Sequence, residues 1–433
     1  MERSRLRLSV LLPVAAAAAI VIAFLFLNHR AYDGFFQDDE LDNLSWAPLL
    51  PAGDFLAGLL RPMFAIDNFR PAASLYFALM GKSFGLDFAP YMTPIFGFHL
   101  FNGLLTWLLM RKLQIEQWCA IAGAAFFVLS AAALDAYWKP MYVFDLLCTT
   151  FSLLCLLLYA HRRWILSFIA FWLAYKAKEL AVMLPAVLAA YEYWFGERRF
   201  KVLIPFVLAS LNFGIQGIVR NPNHNNDYTL RFTSAALRHT APFYAHRLFI
   251  FKGSGLLLGL LLFFRDRRVW FGLLATLTLM VPLLVLPGRL FEAYVYLPLA
   301  FAAIAVAAAS TRWNPVWAWI AVALWMPSNV RQIHRESRAI LAADDQAFRF
   351  VDQMAKWVAR HPEPGTFVYD GVPAGFHHWG VTAAWNILHH DSGLRAIFSA
   401  SPEGPQALAG EIVAFGTWDP KNQELKIDSS RAP

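Results

Sequence analysis

Residues 8–27, LSVLLPVAAAAAIVIAFLFL, run without a single charge and stand directly behind Arg3, Arg5 and Arg7. A helix of about twenty apolar residues crosses the roughly 30 Å of bilayer hydrocarbon, and basic residues at one end mark the side that stays inside. No small-x-small cleavage site precedes the polar stretch that follows. The segment therefore reads as a retained membrane helix with a cytoplasmic N-terminus rather than a removed signal peptide. The same texture continues through the 433 residues: 58% are hydrophobic, 15% are charged and the mean hydropathy is +0.45, which does not fit a water-soluble chain of this length. Apolar stretches of helix-spanning length recur between short charged clusters, and the alternating ten-residue signature of an outer-membrane barrel is absent.

The basic clusters keep time along the chain. Arg111-Lys112, Arg162-Arg163, Arg198-Arg199 with Lys201, Arg265 to Arg268, and Arg312 fall at every second gap between apolar segments, which makes those gaps cytoplasmic. The net charge of +7 is thus orientation signal, with no basic stripe of the kind that binds nucleic acid. Outside lie residues 28–88, a turn at 134–140, a turn at 176–179, residues 220–244 and a turn at 287–292. The reading predicts an all-α polytopic membrane protein with about eleven transmembrane helices over residues 1–330. An odd number of spans puts the C-terminus outside, so residues 331–433 are expected to form a small external α/β domain. In it the strand-like runs Thr366–Tyr369, Glu411–Phe415 and Glu424–Ile427 alternate with helical stretches Arg331–Arg360 and Phe376–His389. The expected location is the inner (plasma) membrane. Cys119, Cys148 and Cys155 all lie in apolar segments, so the exported regions hold no disulfide framework.

Charges gathered at one end of a membrane bundle call for a reason, and the outside face collects them. The first external loop opens with Phe35-Phe36-Gln37-Asp38-Asp39-Glu40. Three adjacent carboxylates raise the pKa of at least one by mutual repulsion, which suits a general base; the plain alternative is a solvated helix start. The stretch Leu41–Leu60 that follows is amphipathic and could lie flat on the interface. Lys176, Lys178 and Glu179 sit on an outside turn where cations are disfavoured, and Arg70-Pro71 and Arg289 are also external. Ammonium and guanidinium groups bind phosphate well, whereas snorkelling or pairing with Glu179 is the plain alternative. Acids and cations on one face suit transfer of a group from a lipid phosphate to a hydroxyl outside the cytoplasm. Phosphate is already a good leaving group, so one carboxylate base and fixed positive charge suffice.

The same residues resemble the GT-C superfamily of polytopic glycosyltransferases, which take sugars from polyprenyl-phosphate carriers on the outer membrane face. Bacterial relatives of the protein O-mannosyltransferases are the nearest pattern. Asp38-Asp39-Glu40 resembles the superfamily's catalytic acidic motif. Arg70-Pro71, Pro90-Tyr91 and His99-Leu100-Phe101-Asn102 resemble the stretch leading into the second span. Lys178-Glu179 with Pro185 resembles the external Lys-Glu motif, and Glu292-Ala293-Tyr294-Val295-Tyr296-Leu297-Pro298 resembles the late Glu-Arg-Tyr-x-Tyr-x-Pro signature. Ala293 stands where that signature carries Arg, which leaves the phosphate either to Arg289 one helical turn earlier or to Lys178, and Thr106 stands where a second His often follows.

The resemblance implies Asp38 or Asp39 as general base, Lys178 and Arg289 on the phosphate, and Glu179 orienting Lys178. Glu40, Arg70, His99, Lys176, Glu292 and Tyr296 are implied to line the site. It implies a polyprenyl-phosphate sugar donor, a glycan, lipid or protein acceptor and a membrane-lipid surround. It fixes no cofactor, and a divalent cation is the one candidate.

Other features read more simply. His377-His378 and His389-His390 lack the spacing of a metal site, and Asp145 within an apolar run reads as a hydrogen bond to a neighbouring helix or to Lys139. Asn223 to Asp227 form a polar external loop, and Trp46, Trp138, Trp164, Trp194, Trp270 and Trp313 anchor at the interfaces. A flippase of lipid-linked sugars would need midplane charges and inverted repeats, which the sequence lacks. A non-catalytic scaffold is the remaining alternative.

Overall fold

The structure is a computed structural model that describes residues 2–63, 69–219, 225–251, 253–363, 365–401 and 412–431. Its helices in chain order are α1 (Glu2–Asn28), α2 (Asp38–Trp46), α3 (Ala52–Leu60), α4 (Pro71–Phe84), α5 (Ala89–Lys112), α6 (Gln117–Leu129), α7 (Leu134–Trp138) and α8 (Val143–Ala160). They continue with α9 (Trp164–Ala177), α10 (Leu184–Trp194), α11 (Ile204–Val219), α12 (Ser234–Phe249), α13 (Arg267–Leu284), α14 (Tyr296–Ser310), α15 (Val316–Val358) and α16 (His378–His389). The strands are β1 (Thr366–Asp370), β2 (Ala396–Phe398), β3 (Ile412–Asp419) and β4 (Glu424–Arg431). The expected helical, polytopic class with a small terminal sheet is what forms.

Among the described residues five helices are long and apolar enough to cross a membrane, or up to seven if each of two bent pairs is one span. The sequence count of about eleven is larger because apolar stretches are broken by short turns. The α9 and α11 segments are apolar but shorter than a full crossing, and α9 stops at an extended Lys178 before Pro185 opens α10. The break between α6 and α7 has a visible cause. Ser130 leaves the helix with φ −72° and ψ 128°; Asn329 accepts from the Ala131 N–H at 2.8 Å and donates to the Leu129 carbonyl at 2.6 Å. One amide thus replaces the ladder bonds lost at the kink, as an apolar surround requires.

Two compact units make up the chain. The first contains Met1–His29, Leu56–Ala73 and Pro94–His334, and the second contains Arg30–Phe55, Ser74–Thr93 and Arg335–Pro433. Helix α14 in the first unit is alanine-rich and buried along nearly its whole length. Its Ala305 comes so close to α13 that a Cβ on Gly272 would sit 2.7 Å from the Ala305 nitrogen, and its Ala307 would meet a Cβ on Gly123 of α6 at 2.8 Å. Small residues at such crossings let backbones pack without an aqueous hydrophobic drive.

The second unit is built around a four-stranded sheet of order β2-β1-β3-β4. β1 runs parallel to β2 and β3, pairing Val368 with Ile397 and with Phe415, and β3 pairs antiparallel with β4. The continuous apolar run of β1 fits its central place. Trp385 of α16, 1% exposed, stacks on Phe367 at 4.8 Å, while Phe350 of α15 packs on Phe376 and Trp418. The predicted strands at 366, 411 and 424 correspond to β1, β3 and β4; β2, three residues long, carried no readable signal. The loop that carries the acidic motif belongs to this unit: α2 packs along α16, so residues 30–55 group with the terminal sheet region.

Candidate active site

In the first unit the selected charges converge in pairs. Lys178 sits at the C-terminal end of α9 with extended backbone. Its Nζ donates to both carboxylate oxygens of Asp145, each at 2.6 Å, and lies 4.2 Å from the centre of the Tyr294 ring. Glu179 accepts from Arg70 Nε at 2.7 Å, and the Arg70 guanidinium also lies over Phe144, 5.5 Å from the ring centre. Burial pushes the Glu179 carboxyl up, but Arg70 beside it, together with a backbone N–H and the Lys178 charge, holds it below its ordinary value. Burial likewise pushes the Arg70 guanidinium down, and Glu179 more than restores it. The partner of Lys178 is thus Asp145, where the sequence reading expected Glu179. Asp145 does not bond Lys139, which instead lies 3.8 Å from Asp135.

The late motif differs as well. Glu292 forms an ion pair with Arg247, the last-turn cation of α12, a residue that sequence reasoning did not select. Arg289 lies between two rings, 4.4 Å from the centre of Tyr228 and 4.6 Å from that of Phe291, and its backbone carbonyl accepts from Tyr244. Ala293, at the position of the signature's Arg, is fully buried. Arg247 is the cation that faces Glu292 in its place.

Lys176 stands apart from this group. Its Nζ donates to the carbonyls of Arg61 and Met63 at 2.7 and 3.1 Å and lies over Trp172 and Phe213, so it fastens the chain before α4. His99 and Tyr296 were expected to line the site, and the structure places both in the bundle core, 0% and 1% exposed. His99 Nδ1 is 2.7 Å from the Tyr296 hydroxyl and its Nε2 is 2.9 Å from the Val128 carbonyl. Asn102 donates to Tyr296 Oη and the Leu146 carbonyl and accepts from Thr150. Every member finds a partner inside, so this cluster ties α5, α8 and α14 together. The helical spacing of 99, 102 and 106 signals a polar stripe; it cannot tell a lining stripe from a packing one.

The acidic motif lies in the second unit. Gln37 is the N-cap of α2 and forms a capping box with Glu40, whose Oε2 accepts from the Gln37 N–H at 3.0 Å. Glu40, 3% exposed, is committed to that cap. Gln37 Nε2 also donates to Asp344 Oδ1 at 2.7 Å, and the Phe35 N–H donates to Asp344 Oδ2. Asp38 Oδ1 accepts the His377 N–H at 2.7 Å, with the His377 imidazole 4.0 Å from Oδ2. Burial is the largest influence on Asp38 and lifts its pKa above the usual carboxylate value despite those donors.

Asp39 is exposed and accepts from the Trp379 indole N–H at 3.0 Å, and Trp379 stacks on His377 with ring centres 4.4 Å apart and 12° between planes. Gly380 makes the approach of α16 feasible: a Cβ there would meet Asp38 Oδ1 at 2.4 Å. Neither His377, Trp379 nor Gly380 is marked by any local pattern 340 positions from the motif it meets.

Among the described residues no three His, Cys, Asp or Glu side chains group to hold a metal. His378 bonds the Tyr369 hydroxyl and His389 packs on the edge of Trp385. Asn223 and His224 lie outside the described residues; Asn225 and Asn226 serve their own loop, bonding Arg231 and Tyr228.

No protein-family model matches the chain, and no curated protein does. Among solved structures, the crystal structure of ArnT from Cupriavidus metallidurans in the apo state is similar over 93% of each chain, at 14% identity and a TM-score of 0.49.

Proposed function

We propose that the chain is an inner-membrane glycosyltransferase that moves one sugar, hexosyl or pentosyl, from a polyprenyl-phosphate donor to a hydroxyl of a glycan, lipid or protein acceptor on the external face. The observation that carries this reading is the pairing, beside apolar helices, of half-buried Arg70 with Glu179 and of half-buried Lys178 with the buried Asp145. Ion pairs in such surroundings are rarely the most stable choice, since well-packed apolar residues do as well or better. Their retention calls for a task, and guanidinium and ammonium groups are the side chains that bind phosphate. The order of the motifs along the sequence supports the same reading.

In the transfer, the acceptor oxygen attacks the anomeric carbon, the bond from that carbon to the phosphate oxygen breaks, and the lipid phosphate departs with the electron pair. The hydroxyl proton goes to a carboxylate. Asp38 and Asp39 are assigned that role in the second unit; Lys178, Arg70, Arg289 and Glu292 are assigned donor binding in the first. Trp379 and His377 beside Asp39 suit a sugar, because ring faces stack on its C–H surface while the carboxylate takes a hydroxyl hydrogen. Residues 1–330 would be the multi-span part with a cytoplasmic N-terminus, and residues 331–433 would be external.

The test is sugar transfer by reconstituted protein from a polyprenyl-phosphate-linked donor, comparing wild type with Asp38→Asn, Asp39→Asn and the double variant. Loss of the base should lower the rate by about 10²–10⁴-fold in one single variant and in the double. Wild-type rates in all three would end the assignment.

A further inference from the structure

We infer that the first unit carries a second anion site, on the cytoplasmic side, which holds the phosphate headgroup of an anionic membrane lipid. A cleft of about 720 Å³ opens where the C-terminal ends of α5, α8 and α10 meet the start of α13. That volume falls within the range of small-ligand pockets. Six cations line it, Lys112, Arg162, Arg199, Arg265, Arg267 and Arg268, against the three acids Glu192, Glu197 and Asp266.

The acids are already taken. Glu197 pairs with Arg162 and Arg199, and Asp266 pairs with Arg268, which further bonds the Gln114 carbonyl and the Thr311 hydroxyl. Glu192 is buried at 5% exposure and accepts from the Tyr159 hydroxyl and the Arg199 N–H. Three cations remain. Lys112 and Arg265 have no hydrogen bond or ion pair among the described residues. Arg267 spends one nitrogen on the Trp194 carbonyl and lies 5.1 Å from the centre of the Phe195 ring.

The positive-inside rule alone accounts for cations in loops facing water. It does not require them to surround a concavity that has Trp164, Tyr191 and Phe195 in its lining and acids neutralising half the charge. A phosphate with its substituents satisfies the remaining three. A lipid is the source that fits best, because the residues continuing from the cleft wall are apolar and exposed: Ile165 and Leu166 after Trp164 are 80% and 47% exposed, and Phe200 and Ile204 after Arg199 are 43% and 53% exposed. Those positions offer acyl chains a surface beside the headgroup.

The experiment is native mass spectrometry of the full-length protein in detergent, titrated with phosphatidylglycerol or with phosphatidylcholine, with and without inorganic phosphate. Wild type should retain phosphatidylglycerol in preference to phosphatidylcholine. The double variant Lys112→Gln/Arg265→Gln should weaken that retention on the order of tenfold or more. The control Arg163→Gln/Lys201→Gln, which removes two exposed cytoplasmic-side cations outside the cleft, should retain it, as should the charge-keeping Lys112→Arg/Arg265→Lys. If the double variant fails to fold, Arg265→Gln alone, an exposed side chain, reads the same loss more weakly. Displacement of the lipid by millimolar inorganic phosphate would keep the anion site and make soluble phosphate its source. Equal loss in the cleft variant and the control, or no loss in either, would overturn the site.

Discussion

The carboxylates singled out in the two units are held in different ways. In the first, each carboxylate of the candidate site faces a cation: Glu179 faces Arg70, Asp145 faces Lys178 and Glu292 faces Arg247. In the second, Asp38, Asp39 and Asp344 accept hydrogen bonds from the His377 N–H, the Trp379 indole, and the Gln37 amide with the Phe35 N–H. A cation stabilises the ionised form directly, and Glu179 accordingly sits below its ordinary value. Burial, the largest influence on Asp38, leaves it above its own despite the His377 N–H and imidazole beside it. A carboxylate locked to a cation is a poor proton acceptor, whereas one raised by burial is better matched to take a proton near neutral pH. The comparison explains why Glu179 suits charge positioning and Asp38 suits a base.

The sharpest way to break that contrast is to delete one partner from each unit. Lys178→Ala strands the Asp145 carboxylate in the bundle and should destabilise the protein by about 3–5 kcal/mol, read by thermal melting in detergent. Adding Asp145→Ala should recover much of that stability, since the uncompensated charge is gone. Asp38→Asn should cost far less, because the amide oxygen still accepts the His377 N–H; an effect as large as that of Lys178→Ala would show that the two units are not built differently.

Gly380→Ala comes next. Its methyl group would press on Asp38 Oδ1, a steric cost of about 1–3 kcal/mol, with loss of transfer larger than the stability change because the carboxylate itself is displaced. Tyr296→Phe leaves His99 Nδ1 without its hydroxyl partner and should cost about 1–3 kcal/mol while the transfer rate per folded molecule stays at the wild-type value. A lost rate at unchanged stability would return His99 and Tyr296 to the site.

The smallest effect is in pH dependence. With its folded pKa raised, Asp38 favours the folded state most when protonated, so its contribution is full below the unfolded value and declines as pH rises through the raised one. In Asp38→Asn that decline should be missing from the acidic side of the melting profile. An unchanged profile would mean that Asp38 titrates normally.

How much was legible follows from the range of each interaction. Lys178-Glu179 before Pro185 announced a helix break, and charges beside apolar runs announced themselves. The pairing did not: Asp145 is 33 positions from Lys178, and Arg247 is 45 from Glu292. Asp145 was at least visible as a charge in an apolar run; Arg247 looked like any helix-end cation. His99 shows the converse, a motif residue visible in the sequence whose buried contacts with Tyr296 and Val128 were not.

By itself the sequence determined the solvent and the class of secondary structure, because helix length, hydropathy and basic clusters act locally and add along the chain. It also narrowed the chemistry to a few acids and cations. Only the tertiary structure decided which charges neutralise one another, and that residues 30–55 fold with the terminal sheet region. The physical reason is that ion pairing and burial depend on distances in space and on desolvation, neither of which scales with separation along the chain.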